Sequence, residues 1–416
     1  MKSKCMSSML VLFGLISGIW AWDSGAQSLT PMLTVEEGYF EMGRPYSGTA
    51  IGEQPVHTVW LDRYQIGMYP ETAAQFTAFL NSNLSILEDN KGNPYTGGIV
   101  HAYGQPIACD QKDSDNVQIF WDENKFAIRS WGGYGGQLFP MDEHPVIRVS
   151  WYGAVCYCNW LSQREGLEPY YDVSTWKRYH PVRNGYRLPT EAEWERAAAW
   201  DGEKHWHYGM MSDTLDITLA NYEAYPSPNP LGLEIKPYTT PVGWYNGINP
   251  VTLSTPEILT RDARSPVGAY DMSGGVWEWC HDWYSSTYYN SSPGRNPSGP
   301  AKGYYKAARG GHWQRIGYDA RCAARNTDIT EPWQRYYFLG FRIAKSDVEL
   351  THPSDRNHDG QIDHEEAMGS IDGWQSGDLS MAEAIRMLYI SERGGAYFYN
   401  PELEPPLHWE LAESEE

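Results

Sequence analysis

The sequence has little positive charge for its size. Its 32 lysines and arginines stand against 53 aspartates and glutamates, so the formal net charge is −21 at pH 7. A chain this acidic is repelled by polyanions, which excludes nucleic acid and anionic membranes as expected partners. No apolar run reaches the length needed to cross a bilayer, so no membrane span is expected either.

The chain also has few cysteines, six in 416 residues, and Cys5 lies in an N-terminal targeting segment. Met1–Lys4 carries two lysines, Met9–Trp20 is apolar, and small residues follow at Ala21 and Ala26. This order is typical of a secretory signal peptide. We therefore predict a signal peptide over residues 1–26 and a secreted or periplasmic protein, in which five cysteines leave at least one thiol unpaired.

Aromatic residues, in contrast, are abundant, with 19 tryptophans and 30 tyrosines. This is more than a core needs, so we expect some of them to line a groove that binds a glycan, peptide or protein ligand. Packing between irregular loops is the alternative. Ser82–Glu143, rich in Gly, Asn and Asp, is interpreted as a surface elaboration whose tryptophans and tyrosines form part of a binding face. Met211–Arg264, with many Pro, Asn and Gly and no periodicity, is expected to be ordered loop.

Helix signals are local and few. Glu71–Asn81 has apolar residues at helical spacing, and Ser150 can cap a helix that runs to Glu165. Thr190 and Glu193 form the pattern of a capping box at the start of another helix. All three helices are interpreted as structural elements.

The stretch Ser265–Tyr284 concentrates acidic, small and aromatic residues. Asp271 and Glu278 flank Gly274 and Gly275. A tight loop with two carboxylates and free carbonyl groups suits a hard cation that needs several oxygen ligands. The alternative is that the carboxylates only accept hydrogen bonds from backbone amides.

Seven segments occur in the order of a known family. They are Gly38–Gly43 (GYFEMG), Pro55–Leu61 (PVHTVWL), His144–Leu161 (HPVIRVSWYGAVCYCNWL), Tyr186–Glu195 (YRLPTEAEWE), Ala269–Trp279 (AYDMSGGVWEW), Arg309–Trp313 (RGGHW) and Gly340–Arg342 (GFR). In this the chain resembles the formylglycine-generating enzyme family, also called sulfatase-modifying factors. The resemblance implies an α+β, C-type-lectin-like fold with much ordered loop over residues 32–345.

The resemblance also implies calcium. One site would use the carboxylates of Asp271 and Glu278 with the carbonyl oxygens of Gly274 and Val276. Calcium bound there would hold loops that lack a hydrogen-bonded ladder.

A second calcium site is implied by the same resemblance. It would use Asn221 and the Tyr222 carbonyl, together with Glu234 and the Lys236 carbonyl, where the loop is shorter than in the family.

The chemistry of the family is where this sequence departs. Family enzymes oxidise a substrate cysteine with oxygen at a copper ion held by two cysteine thiolates. Here Gln314–Arg321 contains no cysteine, Arg315 stands at one ligand position, and His312 replaces a serine. Neither side chain supplies the thiolate that Cu(I) prefers. We therefore expect that cysteine-to-formylglycine oxidation is lost and that copper and iron are not cofactors.

The family's disulfides are expected to be absent as well. Cys158 and Cys322 match bridge positions, but the partner positions are occupied by Ile343 and Ala198. Because Cys322 matches a bridge position, it does not replace a copper ligand.

A second motif follows the family domain. The loop 355–366, DRNHDGQIDHEE, places oxygen ligands at positions 1, 3, 5, 7, 9 and 12 of an EF-hand: Asp355, Asn357, Asp359, Gln361, Asp363 and Glu366. Pro353 argues against a regular entering helix, so the loop resembles the half-hand of a dockerin module. We predict an EF-hand or dockerin-like helical calcium-binding module over residues 350–395, with a helix over Ser380–Arg393, and a loose tail over 396–416.

Three functions remain open at this point. The first is an exported calcium-binding protein whose family domain is a binding module without oxidase activity. The second is a metal-dependent oxidoreductase acting on a protein or small molecule, with a reorganised site around His312, Trp277 and Cys322. The third is a dockerin-like structural adaptor.

Overall fold

The structure is a computed structural model, and it describes residues 29–44, 52–109, 117–179, 182–224, 229–326, 330–347, 361–376, 379–393, 395, 397–400, 403 and 407–411. The predicted signal peptide lies outside the described residues. So do Asp355, Asn357 and Asp359 of the predicted EF-hand loop.

The described residues contain five α-helices: α1 (Ala73–Ser82), α2 (Trp151–Arg164), α3 (Glu191–Ala199), α4 (His364–Ser376) and α5 (Met381–Ser391). Their starts follow from local hydrogen bonds, because side chains accept from amides that have no partner inside the helix. Thr72 and Gln75 form a capping box at α1, and Thr190 and Glu193 form one at α3. Ser150 caps α2. The three predicted helices of the family domain are thus confirmed.

The strands are short and form several small sheets. They are β1 (Met32–Val35), β2 (Gly38–Met42), β3 (His57–Leu61), β4 (Tyr64–Gly67), β5 (Ile99–Ala102), β6 (Gln105–Cys109), β7 (Ile119–Asp122), β8 (Lys125–Ile128), β9 (Ser130–Gly132), β10 (Leu138–Pro140), β11 (Tyr171–Asp172), β12 (Lys177–Arg178), β13 (Trp277–Trp283), β14 (Lys306–Arg309), β15 (Leu339–Gly340), β16 (Ala344–Ser346), β17 (Tyr397–Tyr399) and β18 (Trp409–Leu411). This mixture of short strands, helices and long loops is the α+β content expected.

The two sheets that position the candidate site contain three strands each. In one, β4 lies between β1 and β16, and both pairings are antiparallel. In the other, β13 lies between antiparallel β14 and parallel β15. The parallel register places Glu278 opposite Gly340, so the residues that follow β15 continue beside the start of β13, where Glu278 lies.

The two largest hydrophobic cores of the described residues lie in the family domain. The first core surrounds α1 and α2 and contains Trp151, Cys158 and Ile343. The second core surrounds α3 and contains Ala198 and Cys322. Cys158 and Ile343, the positions of one family disulfide, therefore lie in the first core. Cys322 and Ala198, the positions of the other, lie in the second core. Cys158 and Cys322 remain as free, buried thiols.

Three aromatic residues of the Ser82–Glu143 elaboration pack on one another. Tyr95 stacks on Phe126 at 5.3 Å between ring centroids, and Trp121 contacts both rings. Tyr95 and Phe126 are buried in the first core. These three rings therefore serve packing, whereas Tyr103 and Tyr134 of the same stretch are exposed.

The C-terminal module has a separate core. Ile362 of the predicted EF-hand loop packs with Met387 and Ile390 of α5. Tyr397 and Trp409 join this core from β17 and β18, which pair as an antiparallel hairpin. Residues 397–400 and 407–411 therefore differ from the loose tail expected, because the side chains of Tyr397 and Trp409 are buried against the helices.

None of the described helices combines the length and the apolar character that crossing a membrane requires.

Candidate functional site

The loop before β13 packs closely on a second loop that contains Asn221. Gly274 has φ +84°, and a Cβ at this position would lie 2.5 Å from the backbone oxygen of Asn221. The next amide, Gly275 N–H, donates to that same oxygen at 2.9 Å. Glycine is therefore required at residue 274 both for the left-handed backbone and for the close approach.

Asn221 and Asp271 line one cavity between these loops, with about 250 Å³ of atom-free volume, part of it open to solvent. Asn221 Nδ2 donates to the Tyr238 carbonyl at 2.8 Å, whereas its buried Oδ1 has no hydrogen-bond partner among the described residues. Asp271 Oδ2 accepts from the Gly243 amide at 2.7 Å. Burial raises the pKa of Asp271 to about 6.

This cavity fits a hard cation. A buried amide oxygen without a donor and a desolvated carboxylate are both costly unless a positive partner is present. The two calcium sites expected from the sequence used Asn221 and Asp271 separately, whereas the structure brings the two side chains together. Among the described residues no group of three or more His, Cys, Asp or Glu side chains is arranged around a metal position. A cation here would therefore depend on amide and carbonyl oxygens as well.

Glu278 has a different environment from Asp271. Its Oε2 accepts from Arg342 Nε at 2.6 Å and from Trp194 Nε1 at 2.7 Å, and its Oε1 accepts from Arg342 Nη2 at 2.8 Å. Glu278 and Arg342 are both fully buried. A carboxylate that is neutralised by a two-point guanidinium contact does not fit a calcium ligand, because the guanidinium occupies the place of the cation.

Tyr222 and Glu234, predicted ligands of the second calcium site, do not line the cavity themselves. Tyr222 is half-buried and packs against the cluster of Met210 and Leu219, and both of these residues line the cavity. Glu234 is exposed, and its amide donates to the Gly132 carbonyl at the end of β9. Asn221 is thus the member of the second predicted site that lies at the cavity.

An aromatic wall surrounds the segment that follows β14. Its members are His312, Trp313, Tyr238, Tyr336, Tyr337 and Phe338. His312 stacks on Phe338 at 4.4 Å between ring centroids, and Phe338 stacks on Tyr336 at 5.1 Å. Trp313 contacts Tyr238 and Tyr337 at 5.2 and 6.0 Å. Four members, the three tyrosines and Phe338, are half-buried and so retain exposed ring surface.

The imidazole of His312 is neutral in this wall. Burial lowers the pKa of His312 to about 3, and the nearby Arg315 charge acts in the same direction. Its Nδ1 accepts a hydrogen bond from the Gln314 amide at 3.2 Å. The guanidinium of Arg148 lies over the Tyr337 ring at 5.4 Å, which adds positive charge beside the wall.

The family model described as the sulfatase-modifying factor enzyme 1-like domain matches residues 22–347, which is most of the chain. The chain belongs to this family. The match begins within the predicted signal peptide and ends two residues beyond the boundary expected at residue 345, and the expected boundaries stay predictions.

The relatives of this chain carry different names. Serine/threonine-protein kinase pkn1 of Chlamydia caviae is 29% identical over 348 residues, which cover 82% of this chain and 43% of the relative. The formylglycine-generating enzyme of Streptomyces coelicolor is 28% identical over 335 residues, which cover 76% of this chain and 88% of the relative. The chain thus spans less than half the length of the chlamydial proteins. The solved structure of PvdO from Pseudomonas aeruginosa, 22% identical, has a TM-score of 0.46 and covers 76% of this chain and 94% of PvdO.

The three candidate catalytic residues lie in different surroundings, although the Trp277 amide donates to the Phe338 carbonyl at 2.9 Å. His312 belongs to the aromatic wall, Trp277 is buried in the first core, and Cys322 is buried in the second core. The Cys322 backbone accepts from Arg309 Nη1 at 2.8 Å, which fixes the residue inside the core. Burial raises the pKa of the Cys322 thiol well above its usual range.

The described part of the predicted EF-hand loop begins at Gln361. Asp363 and Glu366 form a reciprocal pair at the start of α4: the Glu366 amide donates to Asp363 Oδ1 at 2.8 Å, and the Asp363 amide donates to Glu366 Oε2 at 3.1 Å. Glu366 is buried. Ile362, the apolar eighth position, donates its amide to the Gly395 carbonyl at 2.7 Å. Calcium binding by this loop stays a prediction.

Sequence reasoning missed two parts of the site. It did not pair Glu278 with Arg342, although both occur in segments used for the resemblance. It also did not locate the aromatic wall, for which the run Tyr336–Phe338 was the available signal.

Proposed function

We propose that this protein is an exported calcium-binding protein whose sulfatase-modifying factor domain is a binding module without cysteine-to-formylglycine oxidation. The observation that carries the proposal is the position of Cys322, which is the cysteine nearest in sequence to the family's copper-ligand segment. Its side chain is fully buried in the second core.

Loss of the oxidase follows from coordination chemistry. Cu(I) in this family requires two thiolates that converge on one ion, since thiolates are the soft ligands this ion prefers. Cys156, Cys158, Cys280 and Cys322, the cysteines whose side chains the structure describes, are all buried. A buried thiol with a raised pKa stays protonated, so it is neither a ligand nor a nucleophile at neutral pH.

Calcium fits the cavity between Asn221 and Asp271. Asn221 Oδ1 and the Asp271 carboxylate would hold the ion, which would supply charge neutralisation and link the two loops. Gly274 and Val276, whose carbonyl oxygens are further predicted ligands, belong to the same loop as Asp271. A second ion would bind the predicted EF-hand loop through Asp363 and Glu366 together with its earlier ligand positions.

The ligand of the binding module would contact the aromatic wall. Half-exposed rings at Tyr336, Tyr337 and Phe338 offer flat surfaces to a peptide side chain or a sugar ring, and their packing on His312 and Trp313 holds them in place at low entropic cost. A peptide, protein or glycan is the ligand class proposed for this surface, and its location outside the cytoplasm rests on the predicted signal peptide alone.

The test is a cysteine-oxidation assay combined with metal analysis. The purified protein, supplied with copper and oxygen, should leave the cysteine of a sulfatase-type peptide unchanged in mass spectrometry. A formylglycine-generating enzyme in the same assay is the positive control. Elemental analysis of the protein should find calcium. Copper-dependent conversion of the peptide that is abolished by Cys322→Ser would refute the proposal and support an oxidoreductase instead.

A further inference from the structure

A second group of exposed aromatic rings lies outside the aromatic wall. Tyr304 is 58% exposed and Trp333 is 39% exposed, although both side chains are large and largely apolar. Their rings meet edge to face at 5.8 Å between centroids, and Tyr305 contacts Tyr304 at 4.9 Å. Single exposed apolar side chains are ordinary, whereas exposed rings in mutual contact indicate a binding surface.

Two more rings join this group from α2 and from the turn between β11 and β12. The Trp151 amide donates to the Pro332 carbonyl at 3.0 Å, so Tyr152 and Trp333 each lie one residue from this bond. Tyr152 contacts Trp176 at 4.7 Å between ring centroids, and both side chains are half-buried. We call these five residues the outer aromatic surface: Tyr152, Trp176, Tyr304, Tyr305 and Trp333.

One loop connects the outer aromatic surface to the aromatic wall. Trp333 precedes Tyr336 of the wall by three positions, so their Cα atoms lie at most about 11 Å apart. Arg335 Nη1 donates to the Trp333 carbonyl at 2.7 Å, and the Arg148 amide donates to the Tyr336 carbonyl at 3.1 Å. Both ends of this short segment are therefore held by hydrogen bonds, and a ligand with several units can contact both surfaces.

The outer aromatic surface consists of tyrosine and tryptophan alone. These rings combine an apolar face with a polar atom at the edge. A sugar ring has matching features, because its CH groups form an apolar face and its hydroxyl groups lie around the edge. Stacking of the two rings buries the CH groups while the hydroxyl groups keep contact with water or with the phenol and indole edges.

An extended peptide matches this surface less well. Peptides of this kind gain affinity by adding a strand to an exposed sheet edge. Residues 330–338, all of them described, contain no strand, so the loop that carries Trp333 offers no sheet edge. The net charge of −21 also disfavours an acidic glycan. A neutral glycan needs neither a sheet edge nor a complementary charge.

We propose that the outer aromatic surface and the aromatic wall together bind one neutral oligosaccharide. Its successive sugar rings stack on Tyr304, on Trp333 and on the half-exposed rings of the wall. The edge-to-face contact between Tyr304 and Trp333 orders both side chains before the ligand arrives, which lowers the entropic cost of binding. This proposal rests on the binding-module function proposed above and names the ligand class of that module.

Binding is tested with three neutral hexasaccharides: cellohexaose, N-acetylchitohexaose and mannohexaose. Titration calorimetry and tryptophan fluorescence of the full chain in calcium-containing buffer should show saturable binding of at least one of them. The corresponding disaccharide should bind about tenfold more weakly or worse, because it cannot reach both surfaces. Trp333→Ala and Tyr304→Ala should each weaken the hexasaccharide about tenfold, the loss expected for the apolar area of one ring.

Two further variants separate the surfaces. Tyr39→Ala removes a more exposed tyrosine on β2, whose ring contacts Trp60 edge to face at 4.7 Å, and it should leave binding unchanged. Tyr337→Ala removes a ring of the wall and should weaken the hexasaccharide but change the disaccharide less.

Three results would overturn the proposal. The first is the absence of saturable binding for all three sugars. The second is sugar binding that Tyr337→Ala weakens but Trp333→Ala and Tyr304→Ala do not, which would leave the wall as the binding site without the outer aromatic surface. The third is binding of a sulfatase-type peptide, but of no sugar, that Trp333→Ala abolishes, because the ligand would then be a protein. None of these results changes the expected calcium content or the cysteine-oxidation assay, so failure here is distinguishable from failure of the proposed function.

Discussion

The buried contact between Glu278 and Arg342 allows the role of Glu278 to be tested directly. If the carboxylate neutralises Arg342, as its geometry indicates, Glu278→Gln leaves the guanidinium without a counter-charge in a fully buried position. If Glu278 instead coordinates calcium, the substitution lowers stability mainly by weakening calcium binding. The two roles predict different responses to a chelator and different coupling with Arg342.

The magnitude follows from burial and from the remaining hydrogen bonds. Removing one partner of a buried ion pair costs about 3–5 kcal/mol, because the other charge stays desolvated. Glu278→Gln should therefore lower the free energy of unfolding by about that amount. Arg342→Gln should cost at least as much, since Arg342 also donates to the carbonyl groups of Gly67 and Tyr270 at 2.8 and 2.9 Å.

The assay is a double-mutant cycle measured by denaturant unfolding, with and without a calcium chelator. The double variant should be less destabilised than the sum of the single variants by more than about 1 kcal/mol, because it contains no unpaired buried charge. This coupling should be the same in the presence of the chelator. Additive losses, or a Glu278→Gln loss that disappears when calcium is removed, would refute the ion-pair interpretation.

Three further predictions concern the cation cavity, its loop and a buried acid. A chelator should lower the melting temperature of the wild type more than that of Asn221→Ala, since an ion at a hundredfold excess over its Kd adds about 2.7 kcal/mol of stability; equal shifts would exclude Asn221 as a ligand. Gly274→Ala should cost more than about 2 kcal/mol by thermal melts, whereas Gly275→Ala, whose Cβ would meet no atom within 4 Å, should cost less. Burial raises the pKa of Glu71 to about 7 in the folded protein, whereas the same carboxyl group in the unfolded chain loses its proton near pH 4.5. The free energy of unfolding should therefore fall by up to about 3 kcal/mol as pH rises through this interval. Glu71→Gln should make that decline shallower in melts from pH 5 to 8, because the raised pKa values of Asp271 and Asp282 still contribute to it. The exposed Glu257→Gln should leave the decline unchanged, and an equal decline in Glu71→Gln would assign it to other groups.

Part of the fold could be predicted because the interactions that define it are local. The capping pairs Thr72 with Gln75 and Thr190 with Glu193 join residues three positions apart, so the sequence pattern contains both partners. The family segments were equally visible, and the family model matched the same part of the chain. The loss of the copper ligands was predicted from residue types alone, since Gln314–Arg321 has no thiol in any conformation.

The composition of the candidate site was decided by tertiary contacts. Asn221 reaches Asp271 because Gly274 lets one loop approach the backbone of the other, and the spacing within either segment does not encode that approach. Glu278 meets Arg342 because β13 and β15 pair in parallel, which brings together residues 64 positions apart. A carboxylate in a tight loop satisfies the pattern of a calcium ligand and of an ion-pair partner equally well.

The sequence by itself determined the family, the helix starts and the absence of cysteine from Gln314–Arg321, because each depends on residue identity or on contacts within one turn of helix. The tertiary structure alone decided which oxygen atoms lack a partner, which thiols are buried and which aromatic rings remain half-exposed. Burial and hydrogen-bond satisfaction depend on every element packed against a side chain, and in this chain of short strands and long loops those elements come from distant segments.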